Sequence, residues 1–225
     1  MNNRGNALFL ILIAVALFAA LSYAITQSGR GGGNISKEQA VIAASQVTQF
    51  AASIRTVIQR MVLTGTPVQS ICYNAGSAGS YLCAAPKAYS VFDPEGGGAT
   101  IQCPTESQVD TNVYPAMHWR FRGILSADKG YYIKDIGTNT DVTGRDGFAQ
   151  LIAVRLAVCQ QINKGLGLDQ TPATGSNFLY DGQSSETTYN VGVNVLDSNA
   201  GEPFACFDTE QNNMGYMYYH ATIEQ

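Results

Sequence analysis

Cysteine and histidine are the residue types whose spacing in this sequence distinguishes a zinc site from disulfides. The five cysteines are Cys72, Cys83, Cys103, Cys159 and Cys206. A structural zinc site normally contains closely spaced ligand pairs such as C-x-x-C. No C-x-x-C occurs, and the two histidines, His118 and His220, are far apart in the sequence. We therefore predict disulfides and no metal site.

Two disulfides are predicted, although five cysteines also allow other pairings. Cys72 and Cys83 enclose ten residues rich in Gly, Ser and Ala, which form a loop flexible enough to close. On the chain-entropy model such a bridge stabilises the fold by roughly 3 kcal/mol. Cys159 lies in a predicted helix and Cys206 in a predicted strand, so a bridge between helix and sheet is the second prediction. It leaves Cys103 over.

The sequence lacks the short motifs that accompany common enzymatic sites. GxGxxG, GxxxxGK[ST], HExxH and GxSxG are all absent. His118 precedes Trp119 and His220 follows Tyr218 and Tyr219, so both histidines are predicted to be strand residues rather than general bases. A Ser, His and Asp that meet only on folding would leave no fixed pattern and remain open. We predict no enzymatic activity and no cofactor.

Two acidic stretches contain glycines but do not have the spacing of a metal-binding loop. Residues 141–147 read DVTGRDG, in which the ligand spacing of a calcium loop is missing. Residues 93–98 read DPEGGG, and residues 174–177 read TGSN. The last two are predicted to be solvated surface turns.

Charge is distributed unevenly along the 225 residues. The chain has 17 acidic and 13 basic residues and a formal net charge of −4, which gives no electrostatic reason to bind nucleic acid. All the acids follow residue 33, and the residues up to 33 contain only Arg4 and Arg30 as charged side chains. Such asymmetry is typical of a targeting or membrane segment.

The segment from Ala7 to Ile25 is predicted to be a membrane anchor. Its 19 residues carry no charge, and as a helix they would span about 29 Å, close to the hydrocarbon thickness of a bilayer. Arg4 precedes the run, so the positive-inside tendency places the N-terminus in the cytoplasm and the remainder outside, where disulfides can form. The alternative is a secretory signal cleaved after Ala24, since Ser22 and Ala24 are small.

The start of the chain resembles type IV prepilins and type II secretion pseudopilins. In those proteins a short basic leader ends in Gly and a hydrophobic helix follows, and here Arg4 and Gly5 precede Asn6. The resemblance covers roughly the first sixty residues. It implies that a prepilin peptidase cuts between Gly5 and Asn6. It also implies that the apolar helix lies first in the membrane and then in the core of a filament of similar subunits. The anchor positions singled out are Ala7, Leu10, Ala14, Phe18 and Ile25.

Leu10 departs from the pattern of this family. Most pilins have Glu at the fifth mature position, where the carboxylate meets the amine of a neighbouring subunit, and that position here is Leu10. Some minor pseudopilins at a filament tip also lack the acid. The departure therefore favours a minor or tip subunit over a major one.

A second, amphipathic helix is predicted after a glycine-rich break at residues 29–33. Ser36 and Gln39 have the spacing of a capping box, so the helix should begin near Lys37 and run to about Leu63. Apolar residues recur every three or four positions along one face, which predicts packing against a sheet. Gly65 and Pro67 should end the helix.

Beyond Ser70 the sequence predicts strands, loops and one further helix. Met117–Leu125 and Tyr131–Ile136 are predicted to pair as a hairpin across SADKG. Residues 187–196 and the tail GYMYYHATI are predicted strands. Asp146 should cap a helix from Phe148 to Lys164 that Gly165 and Gly167 end. The expected fold class is α+β, with a long N-terminal helix packed on an antiparallel sheet, as in pilins.

Five regions follow from these predictions. They are a leader at 1–5, a transmembrane or filament-core helix at 6–28, a glycine-rich break at 29–35, an amphipathic helix at 36–64 and a globular domain at 65–225. The expected function is that of a pilin-like structural subunit with a single inner-membrane pass. Its domain would be periplasmic, or extracellular after assembly. Its partners would be the lipid bilayer, a prepilin peptidase and other pilin-like subunits. The alternatives are a permanently anchored binding module of an envelope machine and, more remotely, a released exported enzyme.

Overall fold

The chain forms two units, residues 1–36 and residues 37–225. In a computed structural model the described residues are 13–19, 36–73, 86–115, 119–122, 131–133, 136–137, 146–174, 191–193, 201–209 and 214–224. In the first unit residues 13–19 are helical. All other elements belong to the second unit.

Helix α1 spans Lys37–Leu63, as the sequence pattern predicts. Glu38 in its first turn and Arg60 in its last turn complement the helix dipole. Gly65 lies in the turn just after the helix and adopts a φ of +98° that favours glycine. One face is buried and consists mainly of small and apolar side chains: Ala40, Ala43, Ala44, Val47, Phe50, Ala51, Ile54, Ile58 and Met61.

The main sheet contains four strands: β1 (Trp119–Arg122), β3 (Gly147–Val154), β5 (Phe204–Asp208) and β6 (Tyr216–Ile223). Each is antiparallel to its neighbours, and their order across the sheet is β1-β3-β6-β5. The tail strand predicted from sequence is β6, and Cys206 lies in a strand as expected. The long helix and this sheet confirm the α+β class.

The predicted hairpin is wrong. The strand β2 (Tyr131–Ile133) does not pair with β1 but lies parallel to β4 (Val191–Val193) in a separate two-stranded sheet. The strand β1 pairs instead with β3, in the register Trp119 to Leu151. A turn sequence between two strands does not determine their partners, and here the burial of Trp119 and Phe121 against the rest of the core decides.

The helix predicted from Phe148 to Lys164 is also wrong in its first half. Residues Gly147–Val154 form β3, and helix α2 begins only at Leu156 and ends at Leu166. The predicted cap Asp146 is fully buried and forms a β-bridge just before β3. Arg155 occupies the N-cap position of α2 instead. A central strand with neighbours on both edges and cover on both faces is continuously apolar, so periodicity does not separate it from a buried helix.

Both faces of the sheet are covered. Helix α1 packs on β6 and on α2, and α2 also packs on β5. On the α1 side Phe50 contacts Trp119 and Phe121, with ring centroids 5.0 and 6.3 Å apart. The opposite face carries a second core cluster. Its strand members include Phe148, Ile152, Phe207, Met217 and Tyr219.

Candidate functional site

The described part of the predicted anchor is a helix that exposes large apolar side chains. Residues 13–19 are helical and exposed, including the two anchor positions Ala14 and Phe18. Phe18 is 73% exposed and Leu17 is 66% exposed. The other processing and anchor positions lie outside the described residues: Gly5, Asn6, Ala7, Leu10 and Ile25. Apolar exposure of this degree requires lipid or protein to cover it.

Helix α1 is the candidate membrane-spanning helix among the described residues, by length and apolar composition. The same composition is expected of a helix in a protein core. The buried face of α1 packs on β6 and α2, and its Phe50 contacts both aromatic rings of β1. We therefore assign α1 to the core of the domain.

The exposed face of α1 carries few charges. No charged residue occurs between Glu38 and Arg55, and Val41 and Ile42 are exposed near the N-terminal end. The hydroxyls of Thr48, Ser53 and Thr56 donate to carbonyl groups of their own helix. These bonds reduce the polarity that the face offers to a neighbouring molecule.

Two grooves flank α1. One, of about 490 Å³, lies at its C-terminal end against β6 and is lined by residues that include Arg55, Val62 and Glu224. The other, of about 370 Å³, lies between α1 and α2 and is lined by residues that include Val41, Thr48 and Lys164. Both are open depressions with few convergent polar groups, unlike a typical small-molecule site.

His220 belongs to a row of buried polar side chains on the side of β6 that faces α1. The row consists of Tyr218, His220 and Thr222. The Nδ1 atom of His220 lies 2.8 Å from the Tyr218 hydroxyl, and its ring stacks on Phe204. Burial, and next the positive charge of Arg55, lower the pKa of His220 to about 4. The imidazole is therefore neutral near pH 7, and its described contacts are those of a packed strand residue. His118 lies outside the described residues.

The row continues towards the end of β6 with two further pairs. The Tyr73 hydroxyl lies 3.0 Å from Thr222 Oγ1, and burial raises the pKa of Tyr73 above its usual range. Arg55 forms an ion pair of 2.8 Å with Glu224, whose side chain is about one-third exposed. The sequence contains no local signal for this pair, because Arg55 and Glu224 are far apart along the chain.

The structure contains the disulfide between Cys159 and Cys206, which joins α2 to β5. Cys72 is also disulfide-bonded, and its predicted partner Cys83 lies outside the described residues. Cys103 is exposed with a free thiol. Next to the Cys159–Cys206 disulfide, the Asn163 side chain forms hydrogen bonds with the backbone N–H and C=O of Cys206. Asn163 lies four residues after Cys159, on the same helix face, and that spacing is the signal that could have identified it.

The DPEGGG stretch is more than a solvated turn. Gly97 is buried, and its carbonyl oxygen accepts a hydrogen bond from Arg60 of α1. A Cβ at Gly97 would lie 2.4 Å from the carbonyl oxygen of Val91 and 2.7 Å from the Val57 side chain. Glycine is thus required here for close packing of the loop against α1. The prediction of a plain surface turn is wrong at this residue.

No group of three or more potential metal ligands occurs in the part of the chain that the structure describes. Of the DVTGRDG stretch, residues 141–145 lie outside that part. No family model, no curated protein and no solved structure matches the chain.

Proposed function

We propose that this protein is a membrane-anchored, pilin-like structural subunit, and more specifically a minor pilin or pseudopilin. The observation that carries the proposal is the order of its parts. An uncharged run at Ala7–Ile25 is followed, after a glycine-rich break, by a long helix whose buried face packs on an antiparallel sheet. The Arg4-Gly5 start adds a prepilin-like cleavage site by resemblance, and Leu10 favours a minor subunit.

The mechanism is assembly rather than catalysis. In the membrane the anchor contacts lipid, and in a filament it exchanges those contacts for neighbouring apolar helices. Such an exchange exposes no apolar surface to water, because both environments are apolar. The exposed side chains of Ile13, Val15, Leu17 and Phe18 fit either environment. A prepilin peptidase would remove residues 1–5 before assembly.

A carboxylate in each of the two candidate spans tests the anchor assignment. Ala14→Asp places a charge in the middle of the predicted anchor, which costs about 3 kcal/mol on insertion scales. We expect this variant to lose membrane retention or assembly. Ala52→Asp is the matched control, since Ala52 lies on the exposed face of α1. It should leave the protein in the membrane fraction.

Membrane fractionation and crosslinking of assembled subunits are the measurements. If Ala14→Asp remains in the membrane and assembles like the unmodified chain, the proposed anchor is wrong. If Ala52→Asp is the variant that leaves the membrane, α1 is the membrane helix and the domain architecture has to be reassigned.

A further inference from the structure

The N-terminal turns of α1 expose apolar side chains. Val41 is 45% exposed and Ile42 is 58% exposed, and no charged residue follows them in the helix before Arg55. Val41 also lines the groove of about 370 Å³ between α1 and α2, together with Gly165 and Leu166 at the end of α2. Adjacent exposed apolar side chains of this kind typically mark a contact with a membrane or another protein.

Two exposed lysines border these apolar side chains. Lys37 lies one turn before Val41 on the same side of α1, and Lys164 lines the groove from α2. Glu38 is the acid in the same turn of α1, and α2 contains no acidic residue. We call Lys37, Val41, Ile42 and Lys164 the N-terminal patch. Its apolar centre and basic border match a bilayer surface, where phosphate groups lie above the acyl chains.

The covalent chain keeps this patch within reach of the bilayer that holds the predicted anchor. Eleven residues, 26–36, join Ile25 to Lys37. Even fully extended, a segment of this length spans only about 40 Å. The other end of α1 can lie further away by the length of the helix, which is about 40 Å for its 27 residues.

We propose that the N-terminal patch rests on the lipid headgroup region of the membrane that holds the anchor. Val41 and Ile42 enter the boundary between headgroups and acyl chains, while the ammonium groups of Lys37 and Lys164 contact lipid phosphates. This contact rests on the anchor of the proposed function and goes beyond it, since an anchor alone would leave the domain free above the bilayer. It belongs to the subunit before assembly.

Fluorescence quenching of the full chain in vesicles tests this contact. Cys103→Ser removes the exposed free thiol. In that background Phe18→Cys, Ile42→Cys and Thr56→Cys each carry one fluorescent label. The vesicles contain phosphatidylethanolamine, phosphatidylglycerol and a lipid with a nitroxide quencher on its headgroup or its acyl chain, and iodide quenches from the water. Thr56 is the matched control, because it is exposed on the same side of α1 as Ile42 and lies about 21 Å further along the helix.

Each label has its own expected result. The Phe18→Cys label, which reports the anchor, should be quenched by the acyl-chain nitroxide. The Ile42→Cys label should be quenched by the headgroup nitroxide and lose most of its quenching by iodide, as expected about 5 to 10 Å into the headgroup boundary. The Thr56→Cys label should be quenched by iodide alone.

Lipid quenching at position 18 but not at position 42 would overturn the contact and leave the anchor in place. If position 42 were then also protected from iodide, protein rather than lipid would cover the patch. Absence of lipid quenching at position 18 would overturn the anchor and the contact together. Equal lipid quenching at positions 42 and 56 would place all of α1 at the membrane and would also overturn the proposal.

A charge variant of the labelled Ile42→Cys chain tests the lysines. Lys164→Gln should lower the ratio of docked to free domain about fivefold in these anionic vesicles, seen as a loss of headgroup quenching. Lys87→Gln is the matched control, because Lys87 adjoins the Gly96–Gly97 loop that packs on the C-terminal part of α1. Equal losses in both variants would show that the total charge, and not Lys164 in the patch, attracts the lipid.

Discussion

At the scale of single residues, His220 couples the stability of the domain to pH. Its ring is buried, stacks on Phe204 and hydrogen-bonds to the Tyr218 hydroxyl, and Arg55 adds a like charge if the imidazole becomes protonated. The pKa of His220 is lowered from 6.5 to about 4 in the folded protein. The unfolded chain therefore binds this proton first as the pH falls.

The sign of the effect follows from that order of protonation. The contribution of His220 is complete above pH 6.5 and is lost as the pH falls from 6.5 to about 4. The loss over this window is about 3 kcal/mol, because each pKa unit corresponds to about 1.4 kcal/mol. Urea unfolding at several pH values measures it. His220→Gln is the control for other groups that titrate in the same pH range. An identical pH dependence of the free energy of unfolding in both proteins would contradict the role of His220.

Residue types predicted some of these local features but not others. The helix stop at Gly65 and the strand position of His220 follow from the sequence, because turn chemistry and aromatic β-propensity act locally. The buried contact of Gly97 and the Asn163–Cys206 bonds do not follow, because they depend on elements brought together only by the tertiary fold.

At the scale of elements, α1 is held in the core of the domain by side-chain packing against the sheet. Phe50 is 4% exposed and contacts two aromatic rings of β1. Phe50→Ala should reduce the free energy of unfolding by about 3 to 5 kcal/mol, because it removes a large apolar side chain and leaves a cavity. The neighbouring control Gln49→Ala lies on the exposed face and should change it by about 0.5 kcal/mol or less. Equal effects in urea unfolding would mean that α1 is not a core helix.

The end of α2 contains two glycines whose replacement should have opposite effects. Gly165 lies inside the helix with open space around its Cα, so Gly165→Ala should stabilise the protein by about 1 kcal/mol. Gly167 has a φ of +78° in the C-cap, so Gly167→Ala should destabilise it by about 1 kcal/mol. Thermal unfolding of both variants gives the comparison, and a shift of the same sign in both would be inconsistent with this helix end.

The elements also show where sequence patterns stop being informative. Helix α1 has a polar and an apolar face, so its period predicted its bounds correctly. The strand β3 is buried along its whole length, and its largely apolar run therefore predicts a helix as readily as a strand. The partners of β1 and β2 depend on which hydrophobic faces meet in the folded domain. Neither a turn motif nor a local propensity contains that information.

At the scale of the whole molecule, the proposal requires two units with different surroundings. The domain of residues 37–225 buries its apolar residues on both faces of a sheet and is stapled by a disulfide. The described part of the first unit instead exposes apolar side chains along a helix. An exported domain attached to an apolar anchor accounts for both, since lipid or neighbouring helices cover the anchor and an oxidising compartment allows the disulfide.

The N-terminus of the mature protein, determined by mass spectrometry after membrane extraction, tests the central claim most directly. Gly5→Val should block cleavage, whereas Gly29→Val adds the same side chain beyond the cleavage site and should not. For the unmodified chain we predict a start at Asn6. By resemblance to prepilins, the amine of this new N-terminus should be methylated. A start at Met1 would contradict it and favour a permanently anchored binding module, and a start at Ile25 would indicate a released exported domain.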